Sequence, residues 1–158
     1  MTATTDTQPA DLRNRMVAHI EAAGHLHCSS VEQALRTVPR HLFVPEASVE
    51  DAYADKAITT KPGANNGRPA SCASVPTVVA MMLGQLDARP GNRVLEIGAG
   101  TGYNAALLAE LVGQTGHVST IDIHPDVTER ARRALDGTGY RSAALYPVPA
   151  PISRTRLP

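Results

Sequence analysis

Three glycines at alternate positions, Gly98, Gly100 and Gly102, interrupt the stretch "RVLEIGAGTGYNAALLAELV" between an apolar run and a helix-like pattern. Glycine at such a junction lets the backbone turn sharply and lets a ligand approach where a Cβ would collide. Two carboxylates flank the loop. Glu96 sits inside the apolar run, where an acid needs a partner. Asp122 follows Gly102 by twenty positions at the end of the next apolar run, the place of an acid that accepts both hydroxyls of a ribose. A tight strand-to-helix turn would also use glycines, but the two acids favour a nucleoside-type cofactor.

The spacing also bears on which cofactor. Dinucleotide enzymes use GxGxxG and lay a pyrophosphate on the helix N-terminus. Here the third glycine comes one residue early and an acid precedes the loop. A cationic ligand without phosphate suits that better, which favours S-adenosylmethionine, with its amino group and sulfonium, over NAD.

These residues need a scaffold. Arg93–Ile97 is predicted as a buried parallel strand, residues 103–112 as a helix with Leu107, Leu108, Leu111 and Val112 inward, and "HVSTIDI" as a second strand. A further helix opens at Pro125, lines one side with Val127, Ala131, Ala134 and Leu135, and stops at Gly137. Strand and helix alternating through short links predict an α/β, doubly wound sheet.

Upstream, helices are expected from Asp11 to Gly24 and from Ser30 to Pro39, the second opened by a Ser30–Gln33 capping box. Residues 41–74 read as mostly irregular and therefore functional or mobile. A helix follows, with Val79, Met82, Leu83 and Leu86 on one face and Ser74 as its N-cap. Asp55 is suited to ordering its own loop. Cys72 is expected to pack as a small side chain. His25, Leu26, His27 and Cys28 are expected to form a helix–helix connection, since no second ligand cluster supports a metal.

The chain has 158 residues, with 15 basic and 15 acidic side chains, a balance that exerts no pull toward nucleic acid or a membrane surface. Two cysteines, the lack of a signal pattern and the lack of a bilayer-length apolar run predict a cytoplasmic protein.

"VLEIGAGTGYNAALLAEL" followed by "VSTIDIHPDVTERARRAL" resembles the first two motifs of class I S-adenosylmethionine methyltransferases, which have a Rossmann-like fold. "VPRHLFVPE", "AYAD" and "SVPTVVAMML", in that order, resemble the N-terminal half of protein-L-isoaspartate O-methyltransferases. The resemblance implies cofactor contacts for Glu96, Gly98, Gly100, Gly102 and Asp122. It places Ser74 beside the acceptor carboxylate, a role one side chain can combine with capping, and offers Asp55 an acceptor-side role as the alternative to ordering its own loop. It makes the partner a protein or peptide bearing an isoaspartyl or aspartyl carboxylate. The implied reaction is in-line displacement by an already ionised carboxylate, which needs proximity and dehydration rather than a general base.

"CASVP" replaces the family's Thr-Ile-Ser-Gln-Pro, and "GANNGRP" lengthens the preceding stretch. Both resemble a divergent branch that accompanies ribosomal peptide maturation. The expected organisation is residues 1–74 for N-terminal helices and acceptor loop, 75–140 for the cofactor-binding half, and 141–158 for an irregular proline-rich tail. On that expectation the fold stops after its second strand and helix. The alternative function is then an inactive remnant that at most binds S-adenosylmethionine.

Overall fold

The computed structural model describes residues 8–63 and 67–147. The center of "GANNGRP" and the end of the proline-rich tail lie outside the described residues. The elements in order are α1 (Pro9–Ala22), α2 (Ser29–Thr37), a 3₁₀ turn (Arg40–Phe43), α3 (Val49–Tyr53), β1 (Ile58–Lys61) and β2 (Ser71–Ala73). Then come α4 (Pro76–Leu86), β3 (Arg93–Ile97), α5 (Tyr103–Val112), β4 (His117–Asp122), α6 (Pro125–Gly137) and β5 (Ala143–Pro147). No described helix is long and apolar enough to cross a membrane.

The described residues form a three-stranded sheet in the order β3-β4-β5. Both pairings are parallel, with Val94 beside Val118 and Val118 beside Ala143. Parallel neighbours need long crossovers, and α5 and α6 supply them. Strand alternation sends Val94, Glu96, Val118, Thr120, Ala143 and Leu145 to one face, where the last four are buried. On the other face Leu95 and Ile97 are 61% and 80% exposed.

Helix α5 is apolar nearly all round and accordingly central, with Tyr103, Ala105, Ala106, Leu107, Leu108, Leu111 and Val112 all buried. A single apolar cluster runs from Met16 of α1 through Leu35 and Leu83 to Leu145 of β5, so the N-terminal helices and the sheet share one core.

Several expectations change. Strand β5 begins the tail that was expected to be irregular, in the stretch Ala143–Tyr146 that its prolines leave free for a regular element, and so the described sheet continues past its second strand. Pro147 falls at the end of the strand, where a missing N–H interrupts little. The stretch 41–74 carries a 3₁₀ turn, helix α3 and the antiparallel pair β1–β2. Helix α2 starts one residue before the expected capping box, with Cys28 at its N-cap and no side-chain cap bond. On α4, Val79, Ala80 and Leu83 are buried but Met82 and Leu86 are about half exposed, at 52% and 51%. That helix is apolar on more than one face, so the sequence pattern does not single out the packed one.

Candidate functional site

The glycine loop leaves the end of β3 and is pinned to the end of β4. The amides of Gly98 and Ala99 both donate to the Ile121 carbonyl, at 2.8 and 3.0 Å. The amide of Gly100 donates to Asp122 Oδ2 at 3.3 Å, and His124 N donates to Asp122 Oδ1 at 3.0 Å. Gly98 has φ +95°, and a Cβ built on it would meet no protein atom within 4 Å. Its glycine therefore answers a backbone requirement and leaves open space above the loop. Gly102 has φ +85° and a different reason to be glycine. A Cβ there would lie 3.2 Å from Ala131 O and from Leu135 Cγ, where α5 begins against α6.

A cavity of about 410 Å³ opens over this loop, within the range of roughly 300–1,000 Å³ typical of small-molecule sites. Glu96 lines it and is half-buried. The buried-acid question raised by the sequence has a neutral answer: Asn104 Nδ2 donates to Glu96 Oε1 at 2.8 Å and Thr120 Oγ1 donates to Oε2 at 2.5 Å. Burial raises the Glu96 pKa above its ordinary value, the two hydrogen bonds oppose that shift, and the neighbouring Asp122 adds to it. Asn104 Oδ1 is buried without a donor among the described residues. An acid and an unpartnered carbonyl oxygen side by side can receive an ammonium group.

Arg40 lies in the same lining and is fully buried. It is held from α3 and from the segment between β2 and α4, donating from Nε to Ala52 O at 2.8 Å and from Nη2 to Ser74 O at 2.9 Å. Its guanidinium carbon stands 5.0 Å from the center of the Tyr103 ring, within cation–π range. Desolvation lowers its pKa from the ordinary arginine value, yet a guanidinium stays charged. Arg40 Nη1 and the Tyr103 hydroxyl are both buried with no partner among the described residues. The Tyr103 pKa is pushed up, first by burial, so its hydroxyl stays protonated.

The structure brings together Glu96, Gly98, Gly100 and Ser74 around the cavity. Asp122 braces the loop from outside that lining, through Gly100 N. Gly102 serves the packing of α5 on α6. Ser74 is exposed and does not cap α4, whose N-cap is Val75 without a side-chain bond. The cap comes from Asp55, which accepts from Thr77 N at 2.9 Å and from Thr77 Oγ1 at 2.8 Å. Asp55 faces a different concavity, shared with Met16 and Glu50, so it is not gathered with the other candidates. Cys72 is exposed rather than packed, with its carbonyl beneath Gly100.

His25, His27 and Cys28 connect α1 to α2 and border a separate hollow of about 560 Å³ beside α4. No group of three or more metal-type side chains converges among the described residues. Sequence reasoning missed Arg40, Tyr103, Asn104 and Thr120 as site residues. Asn104 carried a usable signal, since it lies two residues past Gly102 in the first turn of the helix that the loop opens.

Comparison with known proteins sets this geometry in context. A model of the family described as protein-L-isoaspartate(D-aspartate) O-methyltransferase matches residues 11–147. A protein-L-isoaspartate O-methyltransferase of Methanopyrus kandleri is 41% identical over 128 residues, covering 81% of this chain and 54% of that one. The chain thus spans about half the length of this relative, 54%. A solved protein-L-isoaspartate O-methyltransferase superimposes with TM-score 0.75 at 25% identity, over 87% of this chain and 42% of its own. A Plasmodium falciparum structure described as the same enzyme in complex with S-adenosyl-L-homocysteine shares the fold. Its TM-score is 0.72 at 16% identity, over 85% of this chain and 62% of its own.

Proposed function

Because the chain belongs to the protein-L-isoaspartate(D-aspartate) O-methyltransferase family, we propose that its glycine-loop cavity binds S-adenosylmethionine for methylation of a protein or peptide carboxylate. The acceptor in this reading is an L-isoaspartyl or aspartyl residue. The observation that carries it is the open space over Gly98, beside a half-buried acid and an unpartnered Asn104 oxygen. A cofactor with a cationic amino end, a nucleoside and no phosphate matches that donor and acceptor set.

When bound, S-adenosylmethionine supplies a methyl group on a sulfonium sulfur to an attacking carboxylate oxygen. Glu96 and Asn104 Oδ1 hold the amino end, and the Glu96 charge favours a cationic ligand over a neutral one. Asp122 keeps the loop in shape through Gly100 N and offers its remaining lone pairs to ribose hydroxyls. Ser74, exposed at the mouth beside the loop, orients the acceptor. No proton has to be removed from an ionised carboxylate, so these residues position and dehydrate rather than act as acid or base. Two free cysteines support a cytoplasmic setting for this activity.

The test is transfer of labelled methyl from S-adenosylmethionine to matched peptides containing isoaspartyl, aspartyl or asparaginyl at one position. Base-labile label on the isoaspartyl or aspartyl peptide alone is expected. Label on neither acid, or equally on all three, would remove the carboxylate-acceptor reading.

A further inference from the structure

The Proposed function leaves one charge unused. Arg40 is fully buried, and none of its hydrogen-bond partners is a carboxylate: its two bonds go to the carbonyls of Ala52 and Ser74. Isolated buried charges are costly and are ordinarily paired. A purely structural staple would need the carbonyl bonds and the Tyr103 stack, which a guanidinium makes with Nε, Nη2 and its face. It would not leave Nη1 without an acceptor among the described residues. The Tyr103 hydroxyl is a second buried donor in the same state, on the ring that Arg40 stacks against. Two donors and one positive charge with no carboxylate bonded to it, Asp55 acting on it only through space, thus meet where the Ser74 segment approaches the start of α5, at the lining of the cavity.

We propose that Arg40, assisted by the Tyr103 hydroxyl, is the receptor for the acceptor's carboxylate and the residue by which the site selects an anionic acceptor. This rests on the methyltransferase reading and adds the group that recognises the substrate. Ser74 is the link in the argument: Arg40 holds its carbonyl, so the charge is tied to the acceptor-side segment rather than to β3 or the glycine loop. With Nε and Nη2 committed to carbonyls, Nη1 takes one carboxylate oxygen and leaves the other free to face the methyl group. Charge also acts across a low-dielectric wall, so an ester or amide of the same shape loses the attraction. The methylated product is such an ester, and its release follows from the same loss.

A carboxylate near Arg40 could instead be the one on the cofactor's amino-acid end, and the experiment separates the two sources. Calorimetry on the full chain measures four probes. Two are an L-isoaspartyl peptide and the same peptide with that carboxylate converted to a carboxamide. The others are S-adenosylhomocysteine and methylthioadenosine, which keeps the nucleoside but lacks the amino-acid carboxylate. Wild type is expected to prefer the carboxylate peptide by roughly tenfold to a hundredfold, the range of a charge-assisted contact.

In Arg40→Met that preference collapses toward one, and the ratio of S-adenosylhomocysteine to methylthioadenosine affinity stays unchanged. Tyr103→Phe, which removes only a buried unpartnered hydroxyl, keeps the fold and lowers the peptide preference several-fold. It therefore tests the inference even if Arg40→Met does not fold. A structural role would weaken both peptides equally and leave their ratio intact, which overturns the inference. So does a wild type without carboxylate preference, or an Arg40→Met that loses affinity for S-adenosylhomocysteine but not methylthioadenosine. Binding of S-adenosylhomocysteine with no carboxylate preference sinks only the inference; no binding of S-adenosylhomocysteine sinks the underlying reading.

Discussion

Alanine at Gly98 and alanine at Gly102 should damage this protein in opposite ways, although both glycines stand in one loop with positive φ. At Gly98 the φ of +95° strains any L side chain, while the new Cβ meets no protein atom within 4 Å. The expected loss of stability is the backbone term alone, roughly 1–2 kcal/mol. At Gly102 the φ of +85° imposes a similar strain, and the Cβ also lies 3.2 Å from a backbone oxygen of α6 and from Leu135 Cγ. Overpacking adds roughly 1–3 kcal/mol, for about 2–5 kcal/mol in total.

Ligand binding should reverse that order. The space above Gly98 is where the account puts the cofactor, so Gly98→Ala should lower S-adenosylhomocysteine affinity by about tenfold or more, roughly 1.4 kcal/mol per decade. Gly102→Ala points its methyl into α6 and should spare affinity in whatever fraction remains folded. Urea denaturation gives the first quantity and calorimetry the second. If Gly98→Ala binds like wild type, or if the two variants lose stability equally, the assignment of open ligand space to Gly98 is refuted.

Other expectations follow from the same contacts. Asp122→Ala should weaken S-adenosylhomocysteine binding by roughly ten- to hundredfold, and unchanged affinity in calorimetry would deny Asp122 the ribose. Asp55→Ala should cost about 1 kcal/mol in urea denaturation by uncapping α4, with cofactor affinity intact. A collapse of methyl transfer without loss of stability would instead restore the acceptor-side role that the sequence offered for Asp55. Glu96 has a folded pKa raised above its ordinary 4.5, so the folded chain keeps a proton that the unfolded chain releases. Its contribution to stability is full below about pH 4.5 and is lost as pH rises through the folded pKa. Glu96→Gln should therefore melt higher than wild type at pH 7 and gain nothing near pH 4, while binding both S-adenosylmethionine and S-adenosylhomocysteine more weakly, since the two share the ammonium group that Glu96 holds.

The parts of the fold that were legible in the sequence are those fixed locally. Arg93–Ile97 and His117–Asp122 are short strand patterns bounded by turn residues, although the burial expected of the first fails at Leu95 and Ile97, and Gly98, Gly100 and Gly102 mark the loop wherever the rest of the chain goes. Strand β5 was legible only as a stretch, Ala143–Tyr146, that the tail's prolines leave free, because it has little strand character of its own and acquires it by pairing with β4. The α4 cap was misassigned to Ser74 because the actual one, Asp55, reaches Thr77 across 22 positions, beyond any local capping pattern. Arg40 looked like an ordinary charged residue in "VPRHLF". Its burial depends on Ala52, Ser74 and Tyr103, which only tertiary packing brings around it.

The central claim is that the Gly98–Gly102 cavity is built for a nucleoside ligand with a cationic amino-acid end. Titration of the chain with S-adenosylmethionine, S-adenosylhomocysteine and NAD in a calorimeter tests it most directly. The account predicts one saturable site for the first two ligands, weakened by Gly98→Ala, and no heat of binding with NAD. Saturable NAD binding, or silence with all three from a chain that melts cooperatively, would contradict it.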